Sequence, residues 1–529
     1  MNYIKKLTIK GFKKFSSFQI EFNEHMNIIV GENEAGKTTI LEALRVVLNQ
    51  QYKNSDKSVL QDLFNKDMVK RFQDKPSIKA LPEIMIEVEF ELDAEQGDAG
   101  YFYGENYGER NTQPEAYGIR FECKFDDEIG SGLESSICEG KIPYEYYVLS
   151  WTTFAGRPYK MVKKPIEFIS IDTTTSNAAL SFNYYNKTLF SSKYDEETRM
   201  RARNSFREGL NKAFEDTGLE NIGDNRRFGV DNKKVVLESV LSVYEGDIPL
   251  ENHGSGMESL IKTKIALDRK NKLDVILMEE PENHLSFSSL RKMLQEISEQ
   301  QEKSQIIVAT HSNMIASRLN LKNVLWITDT GVASLKTVDD EIAKFFEKAD
   351  DNSFLELLLS KKAILVEGAT EYLLLPYFYQ KLTGDKIECD EISVISCDGI
   401  AYKKYLKIAE ATHKKIAVLT DNDGHEERIA EALAFNQDNQ LQHVFMADDI
   451  EKWTWEVCVY KENKTLLEDV IKIVSGSKYE FSGIKYGGTD PILGKMLNDK
   501  VESAYQMLMS GKDYVAPQYV KEAIEWIRE

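Results

Sequence analysis

The 529-residue chain has few cysteines, and their placement excludes two common uses of this residue. The five cysteines are odd in number and lie apart, without a Cys-x-x-Cys pair. Neither a disulfide framework nor a zinc site is therefore indicated, and reduced, buried thiols are the simpler interpretation. Long apolar runs are also missing: no stretch approaches the roughly 18 apolar residues of a membrane span, and the N-terminus carries no apolar signal core. We therefore expect a cytoplasmic protein without membrane contact.

Positive charge is in short supply, because 87 acidic residues outnumber 67 basic residues and give a formal net charge of −20. Nucleic-acid binding depends on contacts between phosphates and Lys or Arg, so this balance argues against a nucleic-acid partner. It does not exclude one, since enzymes that hold divalent metals with carboxylates are acidic at the site. The chain also has local basic groups, each more often a solvated helix face than a DNA track. These groups are Lys160, Lys163 and Lys164; Arg199, Arg201 and Arg203; and Lys403, Lys404 and Lys407.

The apolar pattern divides the chain into two α/β halves. Apolar and polar residues alternate over residues 4–22 and 84–92, which predicts strands. Residues 181–225 turn polar and helical in pattern, which predicts a helical insert. The continuous apolar runs at 275–278 and 306–309 are typical of strands buried on both faces of a parallel sheet. An acidic segment then precedes a new βα pattern, so we place a domain boundary between residues 345 and 346.

A phosphate-binding loop is predicted at residues 31–38, where Gly-Glu-Asn-Glu-Ala-Gly-Lys-Thr fits the pattern G-x-x-x-x-G-K-[ST]. An apolar strand precedes it and an amphipathic helix follows, as this motif requires. The glycines let backbone N–H groups approach phosphates, the lysine reaches the outer phosphates, and the hydroxyl can bind Mg²⁺. The predicted ATP-binding residues here are Gly31, Asn33, Gly36, Lys37, Thr38 and Thr39, with Thr38 also a metal ligand.

Two further elements of a nucleotide site end the apolar strands of the same half. Glu279-Glu280-Pro281 has the form of a Walker B motif, in which Glu279 orients Mg²⁺ and Glu280 polarises the attacking water. His311 ends the next apolar strand, where α/β sheets place residues that contact ligands. Between these elements, Ser255-Gly256 opens an apolar helix and is suited to bind an anion.

Acidic residues end two apolar strands of the C-terminal half. Residues 363–366 run into Glu367-Gly368, with Glu371 four residues later, and residues 415–420 run into Asp421-Asn422-Asp423-Gly424. Acids at the carboxyl ends of parallel strands converge on one edge of the sheet and repel one another there. Mg²⁺ or Mn²⁺ is the natural partner of such an oxygen-only site. Asp-x-Asp-Gly is also a common acidic turn, but its pairing with Glu-Gly-x-x-Glu favours a metal site.

These motifs together resemble the OLD (overcoming lysogenisation defect) family, including Gabija-type and retron-associated effector nucleases. The resemblance implies an α/β fold in which an ABC-type ATPase head at 1–345, with a helical dimerisation insert at about 181–225, precedes a Rossmann-like Toprim domain at 346–529. It also implies that His311 is the switch histidine. By the same resemblance, Ser255 and Gly256 belong to a signature sequence that faces the nucleotide of another subunit, and hence the protein is a homodimer or higher homo-oligomer.

In the Toprim half the resemblance implies a set of metal ligands and a catalytic lysine. Lys500 resembles the lysine placed near the scissile phosphate, although Lys495 competes for this assignment. Asp398 is a weaker candidate ligand, because the family often has glycine at that position. The implied metal-binding acids are Glu367, which is also catalytic, Glu371, Asp421, Asp423 and Glu456.

The resulting hypothesis is an ATP-regulated endonuclease that cuts DNA by two-metal hydrolysis. The family resemblance alone adds antiphage defence, with a defence-system protein or nucleic acid as a partner. RNA such as tRNA is an alternative substrate. A Rad50-like or chromosome-maintenance ATPase that clamps DNA without cutting is an alternative from a different class, but the long heptad arms of such proteins are missing. A topoisomerase or primase is less favoured, because the sequence shows neither a zinc ribbon nor a tyrosine that stands out as a nucleophile.

Overall fold

The structure is a computed structural model of the whole chain. It describes all residues except 33, 95–96, 105–114, 127, 129–132, 162, 173–185, 188, 192, 218, 220, 224–225, 232–234, 250–251, 253–272, 284, 301–302, 329–330, 337, 349–352, 398–401, 474–480, 483–486 and 489. Among the described residues, no helix has both the length and the apolar content needed to cross a bilayer.

The chain forms two compact units. The first comprises Met1–Leu319 with Asn323–Val332, and the second comprises Asn320–Lys322 with Ala333–Glu529. The boundary drawn from the sequence, between residues 345 and 346, falls inside the second unit and stays a prediction.

The first two thirds of the chain contain most of the strands. They are β1 (Tyr3–Phe12), β2 (Phe15–Glu21), β3 (Met26–Gly31), β4 (Ile84–Glu91), β5 (Tyr103–Gly104), β6 (Ala116–Phe125), β7 (Tyr147–Thr153), β8 (Phe168–Asp172), β9 (Asn221–Gly223), β10 (Arg226–Arg227), β11 (Tyr244–Glu245), β12 (Ile248–Pro249), β13 (Val275–Glu279), β14 (Gln305–Ala309), β15 (Val324–Thr328) and β16 (Gly331–Ser334). The α-helices of this part are α1 (Lys37–Leu48), α2 (Leu60–Leu63), α3 (Lys66–Asp74), α4 (Glu134–Cys138), α5 (Glu196–Glu215), α6 (Phe287–Gln300) and α7 (Asn313–Arg318).

Two sheets enclose α1 in the first unit. One sheet is antiparallel and has the order β2-β1-β4-β6-β5, with β7 also paired to β6; the other has the order β16-β15-β3-β14-β13-β8. In the second sheet, β3 lies parallel to β14 and β15, and every residue of β3 is buried, as expected of a central parallel strand. Ile40, Leu41 and Leu44 on α1 are buried in the core that contains residues of both sheets. The predicted strands over residues 4–22, 84–92, 275–278 and 306–309 are confirmed.

A buried glutamine links the two sheets of this unit. The amide of Gln305, at the start of β14, accepts a hydrogen bond from Ile4 N at 2.9 Å and donates to Ile4 O at 2.8 Å. It also donates to Asn23 O at 2.8 Å. Because a buried amide without partners is costly, these bonds help to fix β1 against the parallel sheet that carries the strand-end acids.

The second unit is built around a parallel sheet of order β18-β17-β19-β20. Its strands are β17 (Lys362–Val366), β18 (Ile392–Ser396), β19 (Lys415–Leu419) and β20 (Gln442–Phe445), and two short segments, β21 (Phe481–Ser482) and β22 (Gly487–Gly488), pair with each other. Its helices are α8 (Asp340–Lys348), α9 (Ser353–Leu359), α10 (Ala369–Thr383), α11 (Tyr402–Thr412), α12 (Glu426–Asp438), α13 (Trp455–Glu468), α14 (Pro491–Asn498), α15 (Lys500–Met509) and α16 (Gln518–Arg528). The apolar residues of β17 and β19 are buried. Because the two strands pair in parallel, the residues that follow them lie at the same edge of the sheet.

Candidate functional site

The phosphate-binding loop joins β3 to α1. Gly36 caps α1 with φ 107°, in the left-handed region that favours glycine, and a Cβ atom there would lie 2.4 Å from the ring of Phe15. Because Gly36 has no side chain, the capping residue leaves the first N–H groups of the helix open to an anion. Lys37 begins the helix and Gly31 ends the strand, as the motif predicts; Asn33 lies outside the described residues.

Lys37 is almost fully buried, at 6% exposure. Its ammonium donates to Gly31 O at 3.0 Å and Glu32 O at 3.1 Å, and it lies 3.4 Å from Nδ1 of His311. Burial lowers the pKa of Lys37, although nearby glutamates, Glu280 first among them, act to raise the pKa. A phosphate group next to this ammonium would restore the charge balance that burial disturbs.

The glutamates that end β13 and follow it lie near Lys37 of the phosphate-binding loop. Glu279 is buried at the end of β13 and accepts from Nη2 of Arg45, on α1, at 3.3 Å. Glu280 follows with φ 45°, and its backbone N donates to Ala309 O at 2.8 Å. Burial and the negative charge of Glu282 raise the pKa of Glu280 to about 8. This environment favours the protonated form of the Glu280 carboxyl as long as no cation is bound beside it.

His311 connects these glutamates to the lysine. Its backbone N donates to Glu280 Oε2 at 3.3 Å and to Glu282 Oε1 at 3.1 Å, while its ring Nε2 lies 3.5 Å from Glu280 Oε1. The Thr310 hydroxyl also donates to Glu282. Burial and the Lys37 charge lower the pKa of His311, so the neutral ring is favoured. The structure therefore brings Lys37, Glu280 and His311 together.

Sequence reasoning missed Glu282 and Arg45 at this site. Glu282 stands two residues beyond the Walker B pair, and its position after a strand end was the available signal. Arg45 lies on α1, far in the sequence from its partner Glu279, and no pattern indicated their contact. Of the remaining predicted residues, Thr39 is buried and Thr38 is exposed at the start of α1, while Ser255 and Gly256 lie outside the described residues.

The second site gathers carboxylates at the edge where β17 and β19 end. Glu367 follows β17, and Glu371 lies in the first turn of α10. Asp421 follows β19 after Thr420, and the two strands pair in parallel. Oε2 of Glu367 accepts from the Thr420 hydroxyl at 2.9 Å and from Asp421 N at 3.1 Å. These bonds fix Glu367 against the neighbouring strand end.

The carboxylates of this edge destabilise one another's charged forms. Burial raises the pKa of Asp421 well above its usual range, and the charges of Glu367, Glu456 and Glu371 add to this effect. Burial also raises the pKa of Glu371 to about 7, with the charges of Glu456 and Glu367 acting in the same direction. Added positive charge would stabilise all four carboxylates in their ionised forms.

Lys500 supplies one positive charge to this cluster. Its Nζ lies 3.0 Å from Oε2 of Glu456, which stands in the first turn of α13. Burial acts to lower the pKa of Lys500, but the charges of Glu456, Asp421 and Glu371 outweigh it, and the pKa is raised. Lys495, the competing candidate, instead forms an ion pair with Asp499. The structure thus places Lys500 at the carboxylates.

Asp423 is more exposed than the four clustered acids and has a cation as its partner. It has φ 51°, its side chain is 52% exposed, and it forms an ion pair with Arg428 on α12. Nη2 of Arg428 also reaches the Thr420 hydroxyl at 3.4 Å. Sequence reasoning did not single out Arg428, whose only signal was a basic residue shortly after the acidic turn. Asp398 lies outside the described residues.

The cluster fits a divalent cation by its donor chemistry. Glu367, Glu371, Asp421 and Glu456 offer only oxygen ligands, which hard cations prefer, and the raised pKa values of Glu371 and Asp421 show that positive charge is in deficit. Hydrogen bonds and an ion pair now hold the side chains of this cluster, so their oxygens are not already arranged around a cation. In the described part of the chain, no group of three or more His, Cys, Asp or Glu side chains is arranged to hold a metal ion as it stands.

Comparison with known proteins gives two family matches. A family model described as an AAA domain matches residues 6–365. A family model described as "Overcoming lysogenization defect protein-like, TOPRIM domain" matches residues 358–423. The predicted order, an ATPase head followed by a Toprim α/β domain, is therefore confirmed.

Several curated proteins are similar to parts of the chain. The Old nuclease of Escherichia phage P2 is 26% identical over 233 residues, 41% of this chain and 37% of that protein. The structural maintenance of chromosomes protein 3 of Saccharomyces cerevisiae is 38% identical over 65 residues, 12% of this chain and 5% of that protein. The DNA double-strand break repair Rad50 ATPase of Methanopyrus kandleri is 47% identical over 45 residues, 8% of this chain and 5% of that protein. The chain thus spans 37% or less of the length of these three relatives.

Solved structures are similar only at a low level. An SMC head bound to the C-winged helix domain of ScpA is 16% identical with a TM-score of 0.35, and the match covers 64% of this chain and 100% of that chain. An SMC head domain from Thermotoga maritima is 14% identical with a TM-score of 0.29, and the match covers 63% and 98%. The AAA match covers more than half of this chain, and the OLD-like Toprim match, which begins at residue 358, overlaps its last residues. The chain therefore belongs to the AAA family by its longer match, and the OLD-like Toprim domain fused to it makes it similar to the ATPase–Toprim fusions of the OLD family.

Proposed function

We propose that the chain is an ATP-hydrolysing, metal-dependent endonuclease that cuts DNA at the carboxylate cluster of its second unit. The observation that carries this proposal is the convergence of Glu367, Glu371, Asp421 and Glu456 beside Lys500 at one sheet edge. The family match and the similarity to a protein named Old nuclease support it.

The chemistry at the cluster follows from the groups present. Mg²⁺ or Mn²⁺ bound to these carboxylates would activate a water molecule and stabilise the leaving oxygen of the phosphodiester. Glu367 accepts a hydrogen bond from Asp421 N at the neighbouring strand end, and Asp421 accepts one from the backbone N of Trp455 at the start of α13, so both carboxylates are held in place. Lys500 stays protonated because its pKa is raised, and its ammonium is suited to neutralise charge on a phosphate oxygen.

The nucleotide site divides its work among three side chains. Lys37 neutralises the outer phosphates of ATP, and Glu280 orients the attacking water and accepts a proton from it. His311 contacts both groups, so its position is suited to respond to the γ-phosphate. Glu279 and Thr38 would hold the nucleotide's Mg²⁺, with Arg45 keeping Glu279 in its rotamer. We infer that ATP turnover regulates cutting, as expected of an ATPase fused to a nuclease.

Homodimerisation is part of the proposal. In α5, the helix within the predicted insert, the structure assigns no buried side chain, and Met200, Leu219 and Phe228 in this region are 55%, 60% and 57% exposed. Exposed apolar side chains in such numbers favour a protein partner, and a second copy would also supply Ser255 to the nucleotide. Mixing Lys37→Ala with Ser255→Arg chains tests this: each variant alone is inactive, while the mixed dimer regains part of the ATP turnover. No regain in verified mixed dimers would contradict a shared site.

Incubation of the purified protein with plasmid DNA, linear DNA and tRNA tests the proposed substrate. We expect DNA cleavage with Mg²⁺ or Mn²⁺, none in EDTA, and at least equal activity with Mn²⁺, which tolerates imperfect octahedral geometry. Cleavage of tRNA alone would replace DNA with RNA as the substrate. Failure to cut under every metal and nucleotide condition would favour a DNA-clamping ATPase.

Antiphage defence is proposed from the resemblance to the OLD family, together with a defence-system protein or nucleic acid as partner. Phage plating on cells that express the chain or its Asp421→Ala variant tests this role. Protection that depends on Asp421 is the expected result, and equal plating on both strains would contradict it.

A further inference from the structure

A cavity of about 690 Å³ lies between α11, α12 and β20 in the second unit. This volume is in the range of about 300–1,000 Å³ that is common for binding sites of small organic groups. Leu406 and Ala432 contribute apolar surface from the two helices, with Phe435 on α12 and Val444 on β20. The cavity can therefore take a small group with an apolar face. We call it the α11–α12 groove.

The mouth of the α11–α12 groove meets the carboxylate cluster. Arg428 and Tyr402 line the groove at the start of α12 and α11, near the sheet edge where the strands end. The Thr420 hydroxyl lies 2.9 Å from Glu367 of the cluster and 3.4 Å from Nη2 of Arg428. A single hydroxyl group thus separates the cluster from the groove. A strand whose phosphate occupies the cluster has its neighbouring nucleotide within reach of this mouth.

The α11–α12 groove has a cation at its mouth and charges of both signs further in. Arg428 is a guanidinium suited to a phosphate oxygen, and it now pairs with Asp423. Further along, Lys403 and Lys407 line the groove together with Glu410 and Glu431, and Nζ of Lys407 lies 3.1 Å from Oε2 of Glu410. The two carboxylates repel phosphates and partly cancel the attraction of the two lysines. An uncharged nucleobase meets no such opposition.

We propose that the α11–α12 groove binds one unpaired nucleotide of the strand being cut, with its phosphate at Arg428 and its base against Leu406 and Phe435. This inference rests on the proposed nuclease function and adds a substrate class. A base inside a perfect duplex must leave its stack to enter the groove, and this costs free energy. The protein therefore prefers single-stranded, flapped or mismatched substrates over perfect duplex.

Binding of a fluorescein-labelled oligothymidylate, followed by anisotropy in Ca²⁺, tests the α11–α12 groove. Ala432→Trp fills the groove, and we expect it to weaken single-strand binding about tenfold, in line with the loss of one stacked base. Leu433→Trp is the matched control, because Leu433 is the next residue on α12 and is 60% exposed. It should leave binding unchanged. Equal affinities of the two variants, with both folded, would overturn the proposal.

A second measurement needs no substitution and decides the matter if Ala432→Trp fails to fold. An oligonucleotide with one 2-aminopurine should change its emission when it binds the wild-type protein, because the base enters a pocket with aromatic walls. If the groove binds a nucleotide of the strand, thymidine monophosphate should reverse this change in emission only weakly. Full reversal at low concentration would assign the groove to free mononucleotides and overturn the strand proposal. Unchanged emission in a complex shown to form would overturn it as well.

The cleavage assay separates this inference from the proposed function. If the wild-type protein cuts nucleic acid but perfect duplex and flapped substrates are cut equally, only the groove proposal fails. If no nucleic acid is cut while the oligonucleotide still enters the groove, the nuclease proposal fails.

Discussion

Lys37 and Lys500 each stand beside glutamates at the carboxyl edge of a parallel sheet, yet the fold moves their pKa values in opposite directions. For Lys37, burial outweighs the nearby glutamates and the pKa is lowered. For Lys500, the charges of Glu456, Asp421 and Glu371 outweigh burial and the pKa is raised. The negative charge around Lys37 is too small to offset the effect of burial on its pKa, whereas the negative charge around Lys500 more than offsets it.

This contrast indicates which ligand each site requires. The nucleotide site needs an anion for Lys37 and a cation for Glu280, whose pKa is raised to about 8, and a magnesium–nucleotide complex brings both. The carboxylate cluster already has an ammonium and still raises the pKa of Glu371 to about 7, so it needs cations alone. Two acidic sites in one chain are thus suited to different chemistry.

The largest expected effects come from breaking the nucleotide site. Lys37→Ala removes the charge that compensates the phosphates and should reduce both ATP binding and turnover. Glu280→Gln should lower turnover at least about a hundredfold while ATP binding persists, because it removes the group that orients water. Calorimetric ATP binding and phosphate release measure the two effects. Turnover that survives in Glu280→Gln would mean that another residue, with Glu282 the nearest candidate, orients the water.

Comparison of two lysines sharpens the assignment in the carboxylate cluster. Lys500→Met should slow cleavage about a hundredfold, because it removes a charge aimed at the phosphate. Lys495→Met is the matched control, since Lys495 pairs with Asp499, and it should cut at close to the wild-type rate. Gel-based rates on one DNA substrate decide between them. The reverse ranking would transfer the role to Lys495.

A smaller effect is expected on stability and depends on pH. The pKa of Glu371 is raised in the folded state, so its contribution to stability is complete below the unfolded value of 4.5 and is lost as pH rises through about 7. The full loss is on the order of 3 kcal/mol. In EDTA, the second unit should therefore melt at a lower temperature at about pH 8.5 than at about pH 5.5, and Glu371→Gln should reduce this difference. If Glu371→Gln leaves the pH dependence of the melting temperature unaltered, the raised pKa of Glu371 is contradicted.

The sequence predicted the strand-end acids because buried parallel strands have a clear pattern. Glu279, Glu367 and Asp421 each follow a continuous apolar run, and the topology then brings Glu367 and Asp421 to one edge. The groups that hold these acids were not predictable. Arg45 bonds Glu279 across 234 positions of the chain, and Gln305, which fixes β1 against the sheet instead of holding an acid, acts over a similar separation; no local pattern records such contacts.

Backbone conformation explains a second group of differences. Asp423 follows the same strand as Asp421, yet it has φ 51° and forms an ion pair with Arg428. The spacing in Asp-x-Asp-Gly could not show this conformation or this ion pair. Glu280 likewise has φ 45°, which places it toward His311, while Glu279 stays in the strand beside Arg45.

The most direct test of two chemically separate sites is the Asp421→Ala variant, measured for DNA cleavage and ATP turnover in the same preparation. Asp421 is buried among carboxylates and accepts from Trp455 N at 2.8 Å, so its removal should eliminate cleavage while the nucleotide site keeps its residues. We expect no detectable cutting with Mg²⁺ or Mn²⁺ and a readily measured ATP turnover. Undiminished cleavage by the folded variant would contradict the assignment of the cluster as the nuclease site.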